Sequence, residues 1–225
     1  MLRNTILAVS VLALGLAGSA PAATIGNGPP NQTGGSDLNA FLEADNFTLA
    51  GSFTISQIKY WSLQTTLSDY AGSTDWGFYT DASGVPGTAL FSGNAVATGV
   101  ATGNTTQGLN EFAYTFAVNV VLGPGNFWLV LHNGPSNDIP NTTYYWAWSS
   151  DTGNSQSTDV VQVSNAVANA PLIGPNPLVW SGNFSELAFN LTATQNGVPE
   201  PVSMSLVGGG LLAAWFLRRK TTAKS

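Results

Sequence analysis

The chain has 225 residues and no cysteine, so disulfide bonds, thiolate metal sites and cysteine nucleophiles are excluded. Of its six lysines and arginines, only Lys59 lies between residues 24 and 197, whereas eleven of the twelve carboxylates do. One positive charge against eleven negative charges gives this middle part a net charge near −10. Such a domain repels nucleic acid and anionic membranes, so neither is expected as a partner.

Residues 1–23 have the pattern of a secretory signal peptide. Arg3 is followed by an apolar run from Ile6 to Ala17 and by small residues up to Ala23. That order predicts export, with cleavage after Ala22 or Ala23. A permanent N-terminal anchor is the alternative, although the apolar run is short for a membrane span.

Residues 24–197 are expected to form one domain, and only residues 36–44 resemble a short helix, capped by Ser36 or Asp37. From residue 46 onward, short runs rich in aromatic and β-branched side chains alternate with turn-forming clusters. This pattern predicts an all-β fold, an antiparallel β-sandwich of jelly-roll type, with an up-and-down barrel as the alternative. The expected strands lie in NFTLAGSFTISQIKYWSLQTT (with a bend after Ile55), WGFYT, TALFSG, FAYTFAVNVVL, NFWLVLHN, TYYWAWSS, DVVQVSN and ELAFNLTAT.

Catalytic motifs are absent from the middle part of the sequence. It has no nucleophile elbow, phosphate-binding loop or dinucleotide-binding glycine pattern. His132, the only histidine, ends an apolar strand, where a hydrogen-bonded structural role is expected. A non-catalytic protein is therefore predicted, and a glycoside hydrolase with two carboxylates about 5–10 Å apart is the last-ranked alternative.

The segment around residue 40 is rich in oxygen ligands. Asp37, Glu43 and Asp45 lie close together in sequence and are candidate calcium ligands. The segment does not match the twelve-residue calcium loop, so solvated loop carboxylates are the alternative. No other cofactor is expected.

The strand TYYWAWSS carries a dense group of aromatic residues. Alternation places Trp146 and Trp148 on one face and Tyr145 on the other. All three are candidate carbohydrate-binding residues, because sugar rings stack on flat aromatic faces. Core packing is the favoured role for the two tryptophans, which leaves Tyr145 as the better-exposed candidate.

Residues 198–220 have the sequence VPEPVSMSLVGGGLLAAWFLRRK. The run from Val202 to Leu217 has sixteen residues, which as a helix would span about 24 Å, less than the roughly 30 Å core of a bilayer. A short anchor followed by a basic cluster predicts transient anchoring in a membrane, with residues 221–225 in the cytoplasm. A simple single-pass anchor is the alternative.

This tail resembles the PEP-CTERM sorting signal, which is also catalogued as the "ice-binding protein C-terminal domain". The resemblance implies a bacterial precursor that is processed by exosortase, a membrane protease-transpeptidase. It assigns recognition to Pro199, Glu200 and Pro201, and the cytoplasmic stop to Arg218, Arg219 and Lys220.

The middle part resembles the uncharacterised secreted bodies of PEP-CTERM proteins. The resemblance rests on the segments ADNF, YTDASGVPGTAL, GPGNFWLVLHN, YYWAWSSDTG and ELAFNLTAT, and it covers most of residues 44–194. It implies an exported, membrane-anchored precursor that becomes a cell-surface or extracellular matrix protein associated with exopolysaccharide. A carbohydrate-binding module that uses the aromatic strand is the alternative function.

Overall fold

A computed structural model describes residues 22–135, 138–150, 160–163, 180–183 and 185–197. The described strands belong to one unit, Pro21–Asn196. Within these ranges the chain forms strands and one short 3-10 turn, Leu67–Asp69, and no α-helix. The strands are β1 (Ala22–Ile25), β2 (Pro30–Asp37), β3 (Glu43–Leu49), β4 (Phe53–Gln64), β5 (Thr74–Asp81), β6 (Pro86–Ala95), β7 (Thr98–Thr106), β8 (Leu109–Leu122), β9 (Gly125–Asn133), β10 (Tyr144–Ser149), β11 (Val160–Val163), β12 (Trp180–Asn183) and β13 (Phe189–Gln195).

The strands form two sheets in which every ladder is antiparallel. In the first sheet, β4 pairs along one edge with β8, which pairs in turn with β7. Along its other edge β4 pairs with β13 and β10, which are flanked by β1 and β2 respectively. The second sheet has the order β12-β11-β3-β9-β5-β6. The predicted all-β antiparallel class is therefore confirmed.

The bend expected after Ile55 is a β-bulge. The pairing of β4 with β8 shifts register between Ile55 and Gln57, and the ladder with β13 shifts at the same place. Because of the shift, Ile55 and Ile58 both face the core and are fully buried, whereas Ser56 is exposed. The bulge thus keeps the apolar side chains of both halves of β4 inside.

The core lies between the two sheets and is rich in aromatic rings. Phe47 from the second sheet packs edge-on against Phe189 from the first, with ring centroids 6.2 Å apart. Trp76 contacts Phe116 across the same interface at 6.4 Å. Burial of these large rings, together with the aliphatic side chains around them, stabilises the packing of the two sheets.

The helix predicted over residues 36–44 is wrong. Asp37 ends β2, and Glu43 begins β3 after a turn. The Asp37 carboxylate does cap this segment, since its Oδ1 accepts hydrogen bonds from the backbone N–H groups of Asn39 (2.9 Å) and Ala40 (3.2 Å). Those bonds close a tight turn. An aspartate carboxylate can accept the same backbone N–H groups in a turn or at the start of a helix, and here it does so in a turn.

Candidate functional site

A cleft of about 330 Å³ lies on the face of the first sheet that points away from the second sheet. Its volume falls in the usual range for ligand pockets, about 300–1,000 Å³. Side chains from β4, β8, β10 and the β7–β8 turn meet the backbone of β2 there. The lining residues are Gly34, Gly35, Leu63, Thr106, Gln107, Leu109, Thr143 and Tyr145.

Two glycines of β2 allow this strand to lie close to β10, the strand that carries Tyr145, Trp146 and Trp148. A Cβ on Gly34 would lie 2.6 Å from a ring carbon of Trp148, and one on Gly35 would lie 2.7 Å from the Trp146 carbonyl oxygen. Real Cβ atoms do not approach other atoms so closely, so both positions require glycine. The pairing of β2 with β10 is interrupted between Ala147 and Ser149, and the bulged part of β2 forms one wall of the cleft.

The opposite wall is the β7–β8 turn, which hydrogen bonds hold against β2. The Gln107 Nε2 donates to the Thr33 carbonyl oxygen at 2.7 Å, and the Thr106 hydroxyl donates to the Gln32 Oε1 at 2.8 Å. The Gln32 amide also donates to the buried carboxylate of Glu111. These bonds tie the two walls of the cleft to each other.

Tyr145 is the aromatic residue of this cleft. It is half-buried and lies beside Leu63 and Leu109 in a small apolar cluster on the outer face. Within the part of the chain that the structure describes, its hydroxyl makes no hydrogen bond. The ring therefore has apolar support underneath and a polar group that a ligand can use.

Trp146 and Trp148, the other two predicted carbohydrate-binding residues, point away from the cleft. Trp146 is fully buried, and its indole N–H donates to the Ala188 carbonyl oxygen at 2.8 Å. Trp148 is half-buried against the core, and its indole N–H donates to the Ser36 hydroxyl at 3.0 Å. Of the three aromatic candidates, the structure brings only Tyr145 to the cleft.

The three candidate calcium ligands lie in two different surroundings. Asp37 and Glu43 are close enough to interact electrostatically, whereas Asp45 faces Glu186. Glu43 is fully buried, and among the described residues neither of its carboxylate oxygens has a hydrogen-bond partner. Burial, and secondly the negative charge of Asp37, raises the pKa of Glu43 well above its usual range. Among the described residues there is no group of three or more metal-ligating side chains.

Asp45 belongs to a buried polar cluster with Asn27 and Glu186. The Asn27 Nδ2 donates to the Asp45 Oδ2 at 2.7 Å and to the Glu186 Oε2 at 2.9 Å. Asp45 also accepts from the backbone N–H of Leu187 (2.5 Å) and of Asn46 (2.7 Å). Burial, and secondly the charge of Glu186, raises the pKa of Asp45 well above its usual range. The cluster ties β3 to the chain segments before β2 and β13.

His132 is fully buried near the end of β9. Its Nδ1 lies 3.0 Å from the Gly134 carbonyl oxygen and its Nε2 lies 2.9 Å from the Asn39 carbonyl oxygen. Both ring nitrogens therefore lie within hydrogen-bond distance of a backbone carbonyl oxygen, and the N–H of the tautomer present donates to one of them, a placement that fits the structural role expected from its position.

The predicted sorting residues lie outside the described residues. They are Pro199, Glu200, Pro201, Arg218, Arg219 and Lys220. The predicted signal peptide is likewise outside them, except that β1 includes Ala22 and Ala23. In the portions of the chain that the structure describes, no helix has the length and apolar character needed to cross a membrane.

Sequence reasoning missed most of the cleft. The polar lining residues Thr106, Gln107 and Thr143 carry no motif, and Gly34 and Gly35 lie in a segment that resembles a loop. The signal that could have located the cleft is the pair of adjacent glycines in a segment facing an aromatic strand, because close backbone approach requires glycine.

No family model, curated protein or solved structure matches the chain.

Proposed function

We propose that this protein is an exported, non-catalytic bacterial surface protein that binds extracellular polysaccharide through the cleft at Tyr145. The observation that carries the proposal is that the half-buried ring of Tyr145 lines the cleft together with the polar side chains of Gln107 and Thr143. An aromatic face stacks against the C–H groups of a sugar ring, and hydroxyl and amide groups around it bond the sugar hydroxyls. The cleft offers both kinds of contact.

The cleft favours a neutral glycan over an anionic one. None of the lining residues is a lysine or an arginine. The register of the sheet sets Glu111 opposite Leu63 and Asp37 opposite Tyr145, so carboxylates flank the cleft on two sides. A uronic acid or a sulfated sugar would be repelled, whereas an uncharged sugar would not.

Binding without catalysis is supported by the chemistry of the lining. It contains no carboxylate, histidine, lysine or serine that could act as an acid, a base or a nucleophile. The carboxylates Asp45 and Glu186 are close together, but Asp45 is fully buried and Glu186 is only 8% exposed. Of the two carboxylates that flank the cleft, Glu111 is buried and accepts hydrogen bonds from Gln32 and Asn104. Asp37 accepts from the backbone N–H groups of Asn39 and Ala40. The hydrolase therefore stays the last-ranked alternative.

We also propose that the sandwich is of the jelly-roll type. The strand orders β2-β10-β4-β8 and β3-β9-β5-β6 support this, because successive strands along the chain repeatedly cross from one layer to the other. Two interlocked Greek keys produce that alternation.

Export, inner-membrane anchoring of the precursor and release by exosortase are proposed from the sequence of the two ends. The test is to replace Pro199, Glu200 and Pro201 together by alanine in the producing cell. We expect the protein to accumulate in the membrane with its tail intact, as seen by mass spectrometry. Normal processing of this variant would overturn the sorting proposal and leave a different release step.

The test of glycan binding is affinity electrophoresis of the purified protein through gels that contain the producer's exopolysaccharide. We expect retardation of the unmodified protein and none for Tyr145→Ala. The matched control is Phe91→Ala, which removes an exposed aromatic ring on β6 and should leave retardation unchanged.

Three results would redirect the proposal. If the unmodified protein is not retarded, glycan recognition is refuted and a passive matrix role is left. If retardation is lost in chelator alone, the neighbouring carboxylates Asp37 and Glu43 become the candidate site, with calcium as cofactor. If an anionic polysaccharide retards the protein more than a neutral one, the argument from charge is wrong.

A further inference from the structure

Glutamine stands at two positions beside the cleft where the backbone favours other residues. Gln32 and Gln107 have φ angles of 65° and 52°, in the left-handed region, where glycine and asparagine are the common residues. In the described ranges, Ser83 is the only other non-glycine residue with a positive φ. Such a backbone is unfavourable for a residue with a Cβ, and it persists where the surroundings hold it, often at a functional site.

Gln107 bonds the β7–β8 turn to β2. Together with Gly108 it forms a two-residue turn in which both φ angles are positive, and asparagine is the usual residue at its first position. Glutamine is one methylene longer than asparagine, and the Gln107 Nε2 donates to the Thr33 carbonyl oxygen at 2.7 Å. The residue with the unusual backbone is therefore the one that reaches the facing strand.

Gln32 bonds in the opposite direction, from β2 to β7 and β8. Its Nε2 donates to the Glu111 carboxylate on β8, and its Oε1 accepts from the Thr106 hydroxyl at the end of β7 at 2.8 Å. Both polar atoms of the amide are used in these contacts. Because Gln32 does not itself line the cleft, it acts on a ligand only through the residues that it holds.

The end of β7 that leads into this turn has little other support. The pairing of β7 with β8 shifts register between Ala101 and Thr105, so the pairs next to the turn are separated from the rest of the ladder. β7 is largely exposed, and Thr106 is its one buried residue. A strand end of this kind opens easily unless other contacts hold it. The bonds to β2 are therefore expected to decide where the turn lies.

We propose that Gln32 is a positioning residue for glycan binding. Through Glu111 and Thr106 it holds the β7–β8 turn where a sugar ring stacked on Tyr145 also reaches the Gln107 side chain. This inference rests on the proposed function of the cleft. Glu111 makes the contact demanding, because it is 2% exposed and its other carboxylate oxygen accepts only from Asn104 (3.2 Å) among the described residues.

An exchange of the two side chains tests this role. Gln32→Glu sets two carboxylates against each other, and it should weaken binding of neutral oligosaccharides from the producer's exopolysaccharide about three- to tenfold in calorimetric titration of the full chain. Adding Glu111→Gln swaps donor and acceptor. The amide at position 111 can then donate to the carboxylate at position 32 and still accept from Asn104, so the affinity should return to that of the unmodified protein.

A second variant and a matched control separate positioning from folding and from charge. Gln32→Gly suits the left-handed backbone but removes both side-chain bonds, so it should weaken binding as Gln32→Glu does. Gln195→Glu adds the same charge at the end of β13, opposite Phe53, roughly 30 Å along β4 from the cleft residue Leu63. This control should bind as the unmodified protein does.

Hydrogen exchange of the backbone amides of residues 104–110, followed by mass spectrometry, reports on the turn without a ligand. Exchange should be faster in both Gln32 single variants and should return to the original rate in the exchanged pair. Unchanged exchange in the single variants would show that Gln32 does not hold the turn.

The outcomes of the titration distinguish this inference from the proposed function. If the single variants exchange faster but bind as tightly as the unmodified protein, the positioning role is refuted and the glycan cleft stands. Weak binding that the exchanged pair does not restore also refutes the role, because the bond between Gln32 and Glu111 would not carry the effect. No binding by the unmodified protein would refute the glycan proposal, and this inference with it.

Discussion

Replacing Glu43 by methionine should stabilise the protein at neutral pH. Glu43 is fully buried, and both of its carboxylate oxygens are without hydrogen-bond partners in the part of the chain that the structure describes. Burying such an unsatisfied polar group costs about 1–3 kcal/mol, more when it is charged. Methionine has a similar length and no polar group to satisfy, so Glu43→Met should recover most of that free energy. For a domain of this size, each kcal/mol corresponds to about 2–4 °C in the midpoint of thermal unfolding.

The pH dependence of this gain follows from the raised pKa of Glu43. The folded state holds the proton more tightly than the unfolded chain, so the stability contributed by this group is fully present below the ordinary glutamate pKa. It is lost as the pH rises through the raised pKa. The advantage of Glu43→Met should therefore be largest at neutral pH and should shrink as the solution is acidified.

The assay is urea unfolding followed by tryptophan fluorescence at pH 7 and at more acidic pH. Glu43→Gln is the matched control, since it keeps the shape and polarity of the side chain but removes the titration, so its stability should depend less on pH than that of the unmodified protein. The reasoning is refuted if Glu43→Met is less stable at pH 7, because that would mean the carboxylate has a favourable partner in solution. The first such partner to test is a calcium ion bound by Glu43 together with Asp37. The test repeats the comparison of the unmodified protein with Glu43→Met in the presence of a chelator.

Three further substitutions test the packing beneath the cleft and in the core. Asp45→Ala should destabilise the protein by about 1–3 kcal/mol in urea unfolding, because it leaves the buried backbone N–H of Leu187 without an acceptor; unchanged stability would contradict the role of the polar cluster. Gly34→Ala should lower stability by about 1–3 kcal/mol, since its Cβ would overlap the ring of Trp148; a neutral effect would mean that the ring can move aside. Trp146→Phe should cost about 1–3 kcal/mol, because the smaller ring leaves a cavity in the core and the indole hydrogen bond to the Ala188 carbonyl oxygen is lost. It should not change glycan binding; loss of binding without loss of fold would place this residue at the site.

The strands that alternate strongly were predictable from the sequence. β4, β5, β8 and β10 carry apolar or aromatic side chains at every second position along much of their length, as one buried face requires. β9 is instead a continuous apolar run that is buried on both faces. The alternation in β10 also separates Tyr145 from Trp146, as the structure does.

β2 and β7 were not predictable in the same way. Their sequences, PNQTGGSD and TGVATGNTT, have few apolar residues, and their extended form depends on pairing with β10 and β8. Neither the β-propensity of single residues nor their periodicity reveals that a segment becomes a strand by pairing with a neighbour, because β-propensity depends on the surroundings of the strand. The polar walls of the cleft come from these segments, and so the cleft escaped prediction.

The buried carboxylates were the other surprise. Glu43 and Asp45 occupy the same face of β3 as Phe47, and strand periodicity alone would therefore direct them into the core. Their negative charge instead favoured a role as solvated loop residues or calcium ligands, because charged side chains are rarely buried. Only the three-dimensional arrangement brings Asn27 and Glu186 to Asp45.

The most direct test of the central claim is calorimetric titration of the purified protein with neutral oligosaccharides prepared from the producer's exopolysaccharide. Glycan binding at the cleft predicts saturable binding that is insensitive to salt, and that Tyr145→Ala weakens at least about tenfold, or 1.4 kcal/mol. Phe91→Ala should bind as the unmodified protein does. Binding that survives Tyr145→Ala unchanged, or the absence of any heat of binding, would contradict a glycan site at this cleft.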